Sequence, residues 1–118
     1  MELANRLMAL LSVLPQRIEE AEKEVVSATN ALKEAEDALA MKEATLIMEG
    51  RINGRNETER KAQLLALTTD ERRAVTEAQE RLSLAKLSYN RLVNEFKAAR
   101  SIALVIAQLS EFQEAQEV

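Results

Sequence analysis

Apolar residues recur at alternating steps of three and four along most of the chain. In the first half Ala4, Leu7, Leu11, Leu14, Ile18, Ala21, Val25, Ala28, Leu32, Ala35, Leu39 and Leu46 keep this spacing, and Lys42 is the one polar residue in the series. In the second half Val75, Ala78, Leu82, Ala85, Tyr89, Leu92, Phe96, Ala99, Ala103 and Ile106 do the same. The spacing keeps one apolar stripe on one side of an α-helix, and such a stripe leaves water by packing on another helix.

The breaks between the ladders set the expected elements. Pro15 has no backbone donor and suits the first turn of a helix, so helix one is expected over 16–50. Glu19, Glu20 and Glu22 then lie near the positive end of its dipole. Residues 1–14 read as an apolar N-terminal helix. It either continues helix one, since the ladder stays in phase across Pro15, or folds back as a third helix. Both glycines, Gly50 and Gly54, fall in a segment where Asn53-Gly54 signals a turn. Asn56 and Glu59 form a capping box for a short helix over 57–67, and Thr68 and Glu71 form a second one at the start of helix two, over about 70–115. The reading is a single all-α domain over 1–118. It is a long antiparallel α-helical hairpin, a coiled coil, with a short helical connector over 51–69.

The ladders also predict a register. Facing pairs would be Leu46 with Val75, Leu39 with Leu82, Leu32 with Tyr89, Val25 with Phe96 and Ile18 with Ala103. Two helices cannot cover every apolar residue. Leu84, Leu87, Val93, Ile102, Leu104, Val105 and Leu109 lie off the main stripe, while Leu7, Leu10, Leu11 and Leu14 gather at the open end. A homodimer or higher homo-oligomer, forming a helical bundle, is the simplest way to bury them. Leu7, Leu11, Leu14, Ile102, Val105 and Leu109 are the expected self-association residues.

Composition narrows the chemistry. The 118 residues contain no Cys and no His, only 3% aromatics, one Pro and two Gly. This argues against disulfides, thiol nucleophiles, ordinary zinc sites and imidazole acid–base catalysis. The carboxylates of helix one lie mostly off the stripe and lack the His that a di-iron bundle uses. Ser and Thr have no base to activate them, and Lys42 has no phosphate loop or second reactive group near it in sequence. No catalytic, cofactor-binding or metal-binding residue is expected, and the chain is read as not an enzyme. No apolar run is long enough to span a bilayer and no signal peptide is evident, so a cytoplasmic protein without membrane contact is expected.

Net charge is −4, but its distribution is uneven. Residues 1–50 carry ten acids and five bases, whereas residues 51–73 carry four acids and six bases. Arg51, Arg55, Asn56, Arg60 and Lys61 are therefore the candidate contacts for nucleic acid or a partner. The alternative is that they cap helices and pair with neighbouring acids. No aromatic residue is close enough in sequence to stack a base.

The run Ile52-Asn53-Gly54-Arg55-Asn56-Glu57-Thr58-Glu59-Arg60-Lys61-Ala62-Gln63-Leu64 resembles a Gly-Lys/Arg-Asn-x-x-x-Arg segment of small, uncharacterised helical proteins of tailed bacteriophages and prophages. Gly54, Arg55, Asn56 and Arg60 are the matching residues. The resemblance covers about thirteen residues. It implies a phage or prophage accessory protein, in the cytoplasm of a bacterial host, often encoded among replication and recombination genes, and it implies no catalytic residue. The expected function is a non-enzymatic, self-associating coiled-coil interaction module. The alternatives are a nucleic-acid-associated accessory using the connector and an inhibitor of a host DNA-handling protein.

Overall fold

A computed structural model describes residues 2–117. Helix α1 spans Glu2–Met48, α2 spans Glu57–Leu67 and α3 spans Thr69–Glu117, with no strand among the described residues. The fold is an all-α antiparallel hairpin of two long helices, α1 and α3, with α2 in the connector. Every ladder position named above is buried or half-buried, Lys42 included. The packing divides into two units. In the first, formed by 1–24 and 86–118, Leu7, Leu14 and Ala99 are buried. In the second, 25–85, the buried residues are Ala28, Leu46, Thr68 and Ala85.

The segments expected as a short helix over 1–14 and a longer one over 16–50 are one helix, with Pro15 inside it. Proline within a helix removes one backbone hydrogen bond and crowds the carbonyl four residues earlier, at about 3 kcal/mol. Leu11, Leu14 and Ile18 keep their phase on either side, so the stripe crosses the proline unbroken and its burial offsets that cost. α1 ends two residues before the expected boundary, in a Schellman motif. The amide of Gly50 donates to the Ile47 carbonyl (3.1 Å) and that of Arg51 to the Leu46 carbonyl (3.0 Å). Gly50 has φ +71°, a conformation that a Cβ would strain.

The register differs from the expected one by about one heptad. In the first unit Ala103 shares a pocket with Leu7 and Leu11, seven residues and more before its expected partner Ile18. In the second unit Arg72, expected beside Glu49, bonds Glu43 six positions earlier at 2.9 Å. Arg81, expected beside Ala40, lies displaced in the same direction, and its long side chain reaches thirteen positions back to Ser27 at 3.0 Å. A shift of seven leaves every apolar position on the stripe, so periodicity alone does not choose between the two pairings. The difference shows at the connector, where Thr68 and Leu46 are both fully buried, while Val75, the expected partner of Leu46, is only half-buried.

Two outcomes are expected. Because the chain has no Cys, a Leu11→Cys/Ala103→Cys pair will form an intrachain disulfide under mild oxidation and an Ile18→Cys/Ala103→Cys pair will not, as read by non-reducing electrophoresis of the monomer. Pro15→Ala will raise stability by up to about 3 kcal/mol in urea melts, and an unchanged midpoint would show that the proline carries no helical cost.

Candidate functional site

The connector is organised by side chains that satisfy its own backbone. Residues 51–54 run without helical bonds, and the Gln63 side chain ties them to α2. Its Oε1 accepts from the amides of Asn53 (3.0 Å) and Gly54 (2.8 Å), and its Nε2 donates to Asn53 Oδ1 (2.8 Å). Asn56 caps α2, accepting from the Glu59 amide at 2.9 Å. The Glu59 carboxylate reaches back to the amide of Arg55 (2.8 Å), one residue earlier than in a standard capping box. Arg60 donates to the Gly54 carbonyl at 3.2 Å. Gly54, in the expected Asn53-Gly54 turn, does not have a positive φ. Glycine is needed there for space, since a Cβ would stand 2.8 Å from the Arg60 amide nitrogen and from Glu59 Cβ.

The second expected capping box, Thr68 with Glu71, does not form. The Thr68 hydroxyl instead donates back to the Leu64 carbonyl (2.6 Å) and accepts from Arg72 Nε (2.9 Å). Arg72 then donates through Nη2 to Glu43 on α1. This chain of bonds links the junction of α2 and α3 to α1. Both charged side chains are partly exposed, so the ion pair itself contributes about 0.5–1 kcal/mol, and its larger effect is on register.

The candidate nucleic-acid contacts divide accordingly. Asn56 and Arg60 are committed to the connector's own structure, and Lys61 pairs with Glu57 at 3.4 Å on the surface. Arg51 and Arg55 are exposed, and their guanidinium groups enter no ion pair among the described residues. Gln63, Glu43 and Arg72 had no assigned role in the sequence reading. Gln63 stood within the motif but is an ordinary helix residue by type, and the Glu43–Arg72 pair follows only from the shifted register.

The six expected self-association residues also divide. Leu7 and Leu14 are buried within the chain and Leu11 is half-buried on the same stripe, so these three belong to the hairpin's own core. Ile102, Val105 and Leu109 stay 45%, 54% and 58% exposed, and Phe112 joins them at 61%. These four recur at steps of three, four and three, a second apolar ladder on α3 that the first helix pairing does not cover.

Heptad positions show where this ladder faces. With each stripe assigned to positions a and d, Ile102 and Leu109 fall at g, and Val105 and Phe112 at c. On α1, Leu3 and Leu10 also fall at g and Val13 at c. In an antiparallel pair the g positions of both helices lie on one flank and the e positions on the other. The contacts agree with this geometry. Glu43 and Arg72, both at e, bond in the second unit, and Met8 and Ala107, both at e, line one pocket in the first. Leu3, Leu10 and Val13, at 54%, 38% and 41% exposure, therefore share a flank with the second ladder. The opposite flank carries the apolar pocket of about 170 Å³, lined by Ala4, Leu7, Met8, Leu11, Ala103, Ile106 and Ala107.

No group of acidic residues suited to a metal occurs among the described residues, and no helix among them is long and apolar enough to cross a membrane. No protein-family model, curated protein sequence or solved structure matches the chain.

Gly54→Ala is expected to destabilise the protein by about 1–3 kcal/mol, because Glu59 and the Arg60 backbone must move to admit the methyl group. Urea denaturation checks this, and a neutral substitution would mean that the connector relaxes freely.

Proposed function

We propose that this chain is a non-enzymatic interaction module that associates with itself through its coiled-coil surfaces. The observation that carries the proposal is the second ladder, Ile102, Val105, Leu109 and Phe112, exposed beside Leu3, Leu10 and Val13 on one flank. Heptad-spaced apolar residues are the pattern that another helix buries, and an apolar flank of this extent marks a contact surface. Leu7, Leu11 and Leu14 support that surface from within. The likeness of Gly54, Arg55, Asn56 and Arg60 to the phage and prophage segment supports an accessory role of that type.

A nucleic-acid role for the connector rests on fewer groups. Arg51 and Arg55 are the exposed candidates there without an ion pair, and binding through them would fall steeply with salt.

An Ile102→Glu/Leu109→Glu variant is expected to stay helical, because both residues are exposed, and to sediment as a monomer at concentrations where the wild type is an oligomer. A wild type that remains monomeric at several hundred micromolar (roughly the range in which a weak pair of about 5 kcal/mol still forms) would contradict the proposal. Salt-sensitive DNA or RNA binding that is lost in Arg51→Glu/Arg55→Glu would favour the connector instead.

A further inference from the structure

The flank carries polar information beyond its apolar residues. Beyond Leu10 and Val13 on α1, the same g and c positions hold Arg17 and Glu20. Before Ile102 on α3 they hold Glu95 and Arg91. In the observed register the flank reads as successive layers: Leu3 with Leu109, Leu10 with Ile102, Arg17 with Glu95, then Glu20 with Arg91. Each charged layer has opposite signs on the two helices, and the order of signs reverses from one layer to the next. All four charged residues are exposed. Arg17, Glu95 and Arg91 enter no ion pair among the described residues, and Glu20 accepts only a long bond of 3.5 Å from Gln16.

We propose that this flank binds a second copy of the chain side by side, open ends together, with α1 of each copy against α3 of the other. The inference rests on the self-association proposed above and adds its orientation and register. A two-fold axis along the helices brings each layer onto its own copy. Leucine layers then meet leucine layers, Arg17 meets the second copy's Glu95, and Glu20 meets its Arg91. Every helix has antiparallel neighbours, as in an up-down four-helix bundle. Copies packed head to tail would leave Arg17 and Glu95 without partners or set them against Leu3 and Leu109. The area is also sufficient. At about 170 Å² for a large side chain, the seven apolar residues expose roughly 600 Å² per copy, or ~1,200 Å² for a pair, which is the lower range of specific dimers.

Charge exchange tests the arrangement. In an Arg17→Glu homodimer the facing pairs are both acidic, and in a Glu95→Arg homodimer both are basic. Each homodimer is expected to be about tenfold weaker than wild type by sedimentation. Mixing the two variants restores opposite charges at both contacts, so the mixture should form a heterodimer close to wild-type strength, resolved by native mass spectrometry. Glu20→Arg mixed with Arg91→Glu provides a second exchange that should behave in the same way. Circular dichroism confirms that each variant is folded. Dimers unaffected by either exchange, or mixtures no tighter than the homodimers, would overturn the orientation and leave self-association standing. A wild type that never dimerises would overturn both.

Discussion

A helix that pairs with a single neighbour buries one stripe of its surface, and the rest of this structure depends on that limit. The a and d ladders of α1 and α3 satisfy it. Every ladder residue is at least half-buried, yet among the described residues only Leu7, Leu14, Ala28, Leu46, Ala85 and Ala99 are buried apolar residues. Small residues are half of that set, so the helices meet closely at Ala28, Ala85 and Ala99 while the leucines fill the layers between. Any apolar residue outside the stripe has no place within the hairpin. The exposure of Leu3, Leu10, Ile102, Leu109 and Phe112 follows directly from this limit.

The seam alone does not fix the pairing. Sliding one helix by seven residues keeps leucine on leucine, so the register must be chosen elsewhere. The connector makes that choice. Gly50 ends α1, Gln63 holds the extended segment, Asn56 starts α2, and Thr68 passes from α2 to Arg72 and on to Glu43. Each bond is modest by itself, about 1 kcal/mol. Together they tie the buried Thr68 and the start of α3 to α1.

This division explains what could be read from the sequence. The ladders, the all-α hairpin, the break at both glycines and the Asn56 cap were legible because periodicity and capping are local properties. The register was not, because it depends on bonds between residues 29 positions apart, such as Glu43 and Arg72. Pro15 left two readings open, that residues 1–14 continue helix one or fold back, and the continuous stripe of Leu11, Leu14 and Ile18 is buried with α1 running through the proline. Leu7 and Leu14, expected at a self-association surface, are buried within the chain, and Leu7 shares a pocket with Ala103, Ile106 and Ala107 of α3. Val13, Phe112, Arg17 and Glu95 gained meaning only after the flanks were defined by the e-position contacts.

Taken together, the hairpin uses one ladder to fold and presents a second one, bordered by exposed charges of opposite sign, on a single flank of its open end. An isotope-filtered NOE experiment on a mixture of labelled and unlabelled chains tests this separation most directly. The account predicts contacts between copies at the methyl groups of Ile102, Val105 and Leu109, and contacts only within a copy at Leu14 and Leu46. Contacts between copies at Leu14 or Leu46, or none at Ile102 in a sample that self-associates, would contradict it.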